Sequence, residues 1–355
     1  MIEPGGTIGI LGGGQLGRMT ALAAAALGYR CHVFSPEPES SAKRVTSLAT
    51  TADYGDRAAL RQFAAAVDVI TFEFENVPAE SVEVLAALKP VRPGPDALRV
   101  AQDRLKEKDF LRSIDVATAR YREVASEKAL AETVRELGPE TVLKTVRLGY
   151  DGKGQVMIGA NTDLAAAWRQ MGAGLGILES RIDFASEISV IVARGMDGAC
   201  AAYVPVENRH SHQILDTTIA PARIAPEIAM RAEAIARHVA EKLDLVGLLA
   251  VEMFVTRDGA VLVNEIAPRP HNSGHWTIDA CATSQFEQFV RAICGLPLGS
   301  PERHSAAVMK NLLGDEVVQW RDALSEPMAK LHLYDKGAPR PGRKMGHVTR
   351  LSPRR

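Results

Sequence analysis

In "LLAVEMFVTRDGAVLVNEIAP", two apolar runs flank Asp258-Gly259, and each run carries one glutamate, Glu252 and Glu265. Asp-Gly favours a two-residue hairpin turn, because both central residues need positive φ. Such a turn sets Glu252 opposite Glu265 on one face, with Cβ atoms roughly 4.5–5.5 Å apart. Like charges at that spacing destabilise a strand pair, so a cation between them is expected. Hard carboxylate oxygens suit Mg²⁺, which takes one or two carboxylates plus phosphate oxygens and water. The plainer alternatives are a solvated edge pair, or one glutamate bridged to Arg257 or Arg269. A one-residue slip would place the two carboxylates on opposite faces. Residues 265, 267 and 269 share a face while the strand lasts, which aims Arg269 into the same cleft, with His271 and Asn272 just beyond.

Three other stretches carry potential chemistry. "RLGYDGKGQ" (Arg147–Gln155) lies between two strand-like runs. Its glycines 149, 152 and 154 let backbone N–H groups approach an anion, and Lys153 adds charge. It reads as a phosphate loop or as a flexible hairpin turn. "GGGQLG" fits GxGxxG through Gly12, Gly14 and Gly17, between strand and helix. However, the second strand ends in Ser35-Pro36 where a ribose-binding acid is expected, so the pattern supports the fold more than a dinucleotide. That helix N-terminus would equally hold a substrate phosphate or carboxylate. "TFEFENVPAE" leaves Glu73, Glu75 and Asn76 at the carboxyl end of a strand, the edge where open α/β sheets bind ligands, or in a solvated turn. Near the end, Lys336, Arg340, Arg343 and Lys344 form a basic stretch, either solvated or gripping a phosphomonoester.

The elements that must hold these residues read as parallel α/β at the start. "GTIGILGGGQLGRMTALAAAALGYRCHVFS" is strand, Gly-rich turn, helix and strand, with Gly28 where the helix should stop. "VDVITFE" is a buried-type strand followed by a helix. The spacing predicts an N-terminal parallel α/β domain over 1–100, a central domain over 101–295 that includes a smaller region over about 120–182, and a small C-terminal domain over 296–355. The 355 residues carry 46% hydrophobic and 24% charged residues with a net charge of −1. This balance gives no bulk attraction to nucleic acid or membrane. Four scattered cysteines form no CxxC pair, as expected of reduced thiols rather than a disulfide frame or zinc site. The opening "MIEPGGTIGIL" does not resemble a signal peptide, and no apolar stretch reaches transmembrane length. A cytoplasmic protein is expected.

Taken together, "GILGGGQLGRM", "TFEFENV", "QDRLKEK", "GYDGKGQ", "NEIAPRPHNSGHW" and "RPGRKMGH" resemble the ATP-grasp superfamily. Within it they look like the N5-carboxyaminoimidazole ribonucleotide synthetases, and the likeness runs over nearly the whole chain. It implies an ATP-grasp fold, α/β and α+β, with a Rossmann-like N-terminal domain. It implies Arg104 and Lys144 at nucleotide phosphates, under a lid of Gly149, Tyr150, Asp151, Gly152, Lys153, Gly154 and Gln155. Glu179, Ser180, Arg181 and Ile182 match the segment that reads adenine, Glu187 the acid on the ribose, and His210 a further nucleotide contact. Glu252 and Glu265 match the Mg²⁺ (or Mn²⁺) carboxylates. Many grasp enzymes place Asn two residues after the second glutamate; here Ala267 stands there, and a role for Asn264 is left open. For the ribonucleotide the pattern points to Gln15, Leu16, Glu73, Asn76, Tyr150, Asp151 and Lys153, with Lys336, Arg343 and Lys344 on its phosphate. Arg269 and His271 match the positions that hold bicarbonate or its phosphorylated form.

The implied reaction is ATP-dependent carboxylation of aminoimidazole ribonucleotide by bicarbonate through carboxyphosphate, with Asp151 or His271 taking the amine proton. ATP and a divalent cation are the implied cofactors, without NAD or biotin, and the resemblance implies a homodimer. Competing readings are another ATP-grasp ligase on a phosphorylated small molecule, a nicotinamide-dependent dehydrogenase using "GGGQLG", and a non-catalytic nucleotide-binding regulator.

Overall fold

The structure, a computed structural model, describes residues 1–149, 153–172 and 174–354; the expectations placed on Tyr150, Asp151 and Gly152 lie outside the described residues. The chain opens with β1 (Thr7–Leu11), β2 (Arg30–Ser35), β3 (Leu48–Thr51) and β4 (Val69–Phe72). They form a parallel sheet in the order β3-β2-β1-β4. Every residue of β1 and β4 is buried, as in a parallel sheet covered on both faces. The chain reverses direction across the sheet at β1, so the loops after β1 and β4 flank a crevice at the strands' carboxyl ends.

β5 (Tyr121–Val124), β6 (Thr141–Thr145), β7 (Gln155–Ile158) and β8 (Gly176–Ser180) make an antiparallel sheet ordered β5-β8-β6-β7. Leu130 and Ala167, from two amphipathic helices, pack on Leu143, Ile158 and Leu178 beneath it.

The third sheet holds β9 (Phe184–Arg194), β10 (Cys200–Ala202), β11 (Val206–Ser211), β12 (Ile214–Ala220), β13 (Gly247–Thr256), β14 (Val261–Ala267), β15 (Ser305–Leu313), β16 (Ala329–Leu333) and β17 (Lys344–Pro353). The order is β14-β13-β9-β11-β12-β15-β17-β16, with β10 beside β9. Within the expected C-terminal domain, β15, β17 and β16 extend the main sheet. Among the described residues, no helix is long and apolar enough to cross a membrane, and the four cysteines are free.

The β13–β14 hairpin corrects the expected turn. Thr256 N–H bonds the Ala260 carbonyl at 2.9 Å and Gly259 N–H bonds that of Thr256 at 3.0 Å. With Gly259 at φ +83, the loop is the three residues Arg257–Gly259, ending in a left-handed glycine. That extra residue shifts the register, so Met253 faces Val263. A bulge at Asn264 then absorbs one residue of β14, and Glu252 faces Glu265 after all. The helix Arg104–Ser113 secures the bulge. Lys108 Nζ donates to the Asn264 carbonyl at 2.6 Å, and Glu107 Oε1 accepts from Ile266 N–H at 2.6 Å.

Candidate active site

Glu265, Glu252 and Ser189 lie in one row across β14, β13 and β9, since Glu252 pairs with Glu265 on one side and Ser189 on the other. Glu187 shares the face of Ser189 two residues away, because strand side chains alternate. The pleat thus gathers acids from three strands beneath one cleft.

Cations answer them from outside the sheet. Arg104 Nη1 lies 2.9 Å from Glu265 Oε2, and Lys144 Nζ lies 2.9 Å from Glu179 Oε2. Fully buried Lys108 reaches the same Glu179 oxygen at 3.9 Å. Burial opposes ionisation of Glu179, but Lys144, Lys108 and Arg104 outweigh it and hold its carboxyl down at about 2. Glu252 is shifted the other way: burial, then the Glu265 charge, pushes its carboxyl well above the usual range. His210 and Lys344 pull the other way without offsetting burial and the Glu265 charge, and a divalent cation would supply the missing positive charge. Asn264 Oδ1 is buried without a hydrogen-bond partner in the described structure, a bare oxygen on the residue that bulges between the Glu252–Glu265 and Met253–Val263 rungs. The two facing carboxylates are hard oxygen donors suited to Mg²⁺.

Of the residues expected around nucleotide, Glu187 and His210 meet at this face. His210 Nδ1 lies 2.6 Å from Glu187 Oε2. Burial disfavours the His210 cation, yet the Glu187 hydrogen bond and charge raise its pKa. In β8, Glu179 is flanked by Tyr121 and Val142, whereas Arg181 and Ile182 fall beyond the strand end. Gln155 Nε2 donates to Gln213 Oε1 at 2.7 Å, joining the β5–β8 sheet to the β11–β12 turn. Gly154 has φ +73, a conformation that favours glycine, and Gly149 lies close enough that an added Cβ would meet the Lys153 carbonyl at 3.1 Å.

On the other wall, Arg269 Nη2 pairs with Glu75. His271 Nε2 lies 3.4 Å from Glu252 Oε1. Burial, with Arg269 and Lys344 nearby, keeps the His271 imidazole neutral, its pKa well below the usual value. Lys344, the first residue of β17, acts electrostatically on Glu252 and His271, and Lys336 on Glu73. The segment carrying Lys336 is moored to the N-terminal domain by Arg44–Asp335 at 2.6 Å and by Ser41 Oγ donating to the Tyr334 carbonyl. Arg343 is half-buried on the same return, and Asn76 is exposed after β4.

The glycine-rich loop after β1 holds one of the chain's own carboxylates. Glu73 Oε2 accepts from Gly17 N–H at 2.6 Å, and Glu73 Oε1 from Gly14 N–H. The protein's own carboxylate thus caps this helix, where a dinucleotide pyrophosphate would sit. An added Cβ would meet Glu73 side-chain atoms at 2.4 Å from Gly12 and 2.7 Å from Gly14. The glycines admit Glu73, which argues against the dehydrogenase reading. Gln15 and Leu16 lie between the two capped N–H groups, and the Leu16 side chain packs with Met19, Phe286 and Tyr334.

Residues that sequence reasoning passed over are Glu107 and Lys108, which hold the bulge, and Ser189, Asn208 and Ser273, which reach His271. Glu107 and Lys108 lie within "QDRLKEK" and Ser273 within "NEIAPRPHNSGHW", so a signal existed for these; Ser189 and Asn208 have none.

Family models match three consecutive stretches: a ribonucleotide synthetase preATP-grasp domain over 6–102, an ATP-grasp domain over 109–286, and a phosphoribosylaminoimidazole carboxylase C-terminal domain over 307–355. The chain is 47% identical to the N5-carboxyaminoimidazole ribonucleotide synthase of Brucella melitensis, over 99% of this chain and 98% of that one. It is 44% identical to the Bacillus subtilis protein of the same name, over 98% and 92%. It is also 47% identical to a bifunctional purine synthesis protein of Dictyostelium discoideum, but spans 37% of that protein's length and 98% of its own. Among solved structures, an ADP complex of N5-carboxyaminoimidazole ribonucleotide synthetase superposes with TM-score 0.96 at 43% identity, over 99% of this chain and 94% of that one. An Aspergillus clavatus enzyme in complex with ADP and 5-aminoimidazole ribonucleotide superposes with TM-score 0.93 at 33% identity, over 99% and 94%.

Proposed function

Because the chain belongs to the N5-carboxyaminoimidazole ribonucleotide synthase family, we propose that it uses ATP and bicarbonate to carboxylate 5-aminoimidazole ribonucleotide at its exocyclic amine. The products are N5-carboxyaminoimidazole ribonucleotide, ADP and phosphate. The observation that carries this reading is the Glu252–Glu265 rung, with Arg104, Arg269 and His271 converging on it.

Bicarbonate is a poor electrophile, and the amine is a weak nucleophile. A bicarbonate oxygen attacks the γ-phosphorus, the bond to the ADP oxygen breaks, and carboxyphosphate forms. The amine then bonds to the carboxyl carbon, directly or after release of CO₂, while phosphate departs and the nitrogen loses a proton. Arg104, Lys144 and Lys153 offset charge on the transferred phosphoryl group. A divalent cation held by Glu252, Glu265 and Asn264 would neutralise phosphate charge when bound. Arg269 offers bidentate donors to the planar bicarbonate. Tyr150, Asp151 and Gly152, with their loop neighbours, exclude water from the short-lived intermediate.

The Gln15 and Leu16 N–H groups, Glu73 and Asn76 hold the ribonucleotide, and Lys336, Arg343 and Lys344 its phosphate. Glu187 and His210 serve the ribose, and Glu179 to Ile182 the adenine. Mg²⁺ as the resident cation, a cytoplasmic location and a homodimer complete the reading. The test is ADP release together with incorporation of labelled bicarbonate, with and without 5-aminoimidazole ribonucleotide. One label fixed per ADP, dependent on the ribonucleotide, is expected; ADP release indifferent to both substrates would overturn the reading.

A further inference from the structure

A buried row of hydrogen bonds reaches His271 from the far side of the main sheet. Thr218 Oγ1 donates to Asn208 Oδ1 at 3.0 Å. Asn208 Nδ2 donates to Ser189 Oγ at 2.9 Å. Ser189 Oγ donates to Ser273 Oγ at 2.7 Å, which lies 2.9 Å from His271 Nδ1. Thr218, Ser189 and Ser273 are fully buried and Asn208 is nearly so. The row crosses β12, β11 and β9, then passes to the turn after β14. Thr218 and Asn208 are direct cross-strand partners, and Ser189 is the partner of Glu252.

The direction of this row is fixed by its chemistry. A neutral imidazole has one protonated and one bare ring nitrogen. Ser273 N–H points at His271 Nδ1, 3.4 Å away, and a backbone N–H can only donate. Nδ1 is therefore the bare nitrogen. The Ser273 hydroxyl proton then goes to Nδ1 as well, so its oxygen accepts from Ser189, which in turn accepts from Asn208. With the Asn208 amide placed so, each donor is committed, and reversal of any single bond would leave a buried polar group unsatisfied. The ring proton falls on Nε2, the nitrogen facing Glu252 Oε1 at 3.4 Å.

We infer that Ser273, Ser189 and Asn208 are positioning residues that hold His271 as an N–H donor into the cleft, so that it binds an anionic oxygen of bicarbonate or its phosphorylated form and is not the base that takes the amine proton. The catalytic half of this statement rests on the reaction given above; the tautomer does not. A donor fixed beforehand toward developing negative charge stabilises it without reorganisation. A bare nitrogen at that place would repel the same oxygen.

Full-length protein labelled with ¹⁵N-histidine tests the tautomer in the absence of substrates. Proton–nitrogen correlation spectra, with the His271 signals identified by their loss in His271→Gln, should show a proton on Nε2 and none on Nδ1. Ser273→Ala, which keeps the backbone N–H and loses the hydroxyl, should shift the Nδ1 resonance while leaving the ring proton on Nε2. A wild-type signal from Nδ1–H, or a Ser273→Ala spectrum unchanged from wild type, overturns the inference. In turnover, Ser189→Ala should lower kcat about tenfold with KM for ATP unchanged, and Ser189→Thr, which keeps the hydroxyl, should recover it. Full activity in Ser189→Ala, or a Thr variant as impaired as Ala, contradicts the positioning role. A protein with the expected Nε2–H but no ribonucleotide-dependent turnover would retain the relay and lose the reaction, so the two failures are distinguishable.

Discussion

Glu73 Oε2 accepts a 2.6 Å hydrogen bond from the backbone N–H of Gly17, fifty-six residues earlier in the chain. This contact turns a dinucleotide-like glycine pattern into the seat of an internal carboxylate. Burial raises the Glu73 pKa, against the pull of the Gly17 and Gly14 N–H groups and the charges of Lys336 and Arg269. The same acid thus fastens the first helix to β4 and faces the cations of the cleft.

Gly14→Ala should disturb that cap directly, since its Cβ would fall 2.7 Å from Glu73 Oε1. Loss of the buried bonds should lower unfolding stability by about 1–3 kcal/mol, measured by denaturant titration. NADH, titrated by fluorescence, should bind neither protein. Tight NADH binding to wild type would restore the dehydrogenase reading.

Glu179 provides a test by pH. Its carboxyl is held at about 2 in the folded protein against an ordinary 4.5. A depressed carboxyl contributes stability that is fully present above its unfolded pKa and disappears as pH falls through the folded one. Glu179→Gln should therefore be less stable than wild type by about 3–5 kcal/mol at neutral pH, because it leaves Lys108 and Lys144 uncompensated. The difference should shrink progressively between about pH 4.5 and pH 2. A difference independent of pH across that window would contradict the ion-pair account.

Much of this arrangement was legible in the residues, some of it for incomplete reasons. The Glu252–Glu265 pairing follows from the Asp-Gly turn only if the turn has two residues, and it has three. The bulge at Asn264 restores the pairing, and that bulge depends on Glu107 and Lys108, about 155 residues earlier. Local sequence determines strand and turn, but register here is completed by a helix from elsewhere in the chain. Glu73 was read as a ligand residue at a sheet edge, and its further bond to Gly17 is a tertiary contact with no periodic trace. Ser189 and Asn208 sit in strands whose alternation marks them as facing one side, yet nothing in that alternation says the side is polar and buried.

The basic return between β16 and β17 should act on one substrate alone. Lys336→Ala and Arg343→Ala should each raise KM for 5-aminoimidazole ribonucleotide by about 10–100-fold, in line with loss of one charge-assisted phosphate contact. KM for ATP should be unchanged. Equal effects on both substrates would mean that these cations do not grip the ribonucleotide phosphate.

Asn264→Ala separates fold from function at the bulge. Its Oδ1 makes no hydrogen bond in the described structure, so stability should change by no more than about 0.5 kcal/mol. The Mg²⁺ concentration for half-maximal turnover should rise about tenfold. An unchanged Mg²⁺ dependence would remove Asn264 from the cation's donors.

The account depends most on Glu252 and Glu265 acting together on a cation. The direct measurement is Mn²⁺ binding followed by electron paramagnetic resonance in the presence of a nonhydrolysable ATP analogue, for wild type, Glu252→Gln and Glu265→Gln, each shown to be folded by circular dichroism. Wild type should take up protein-bound Mn²⁺ with nucleotide, and both variants should lose that uptake together with about a thousandfold of ADP release. Wild-type uptake of Mn²⁺ retained undiminished by both variants would contradict it.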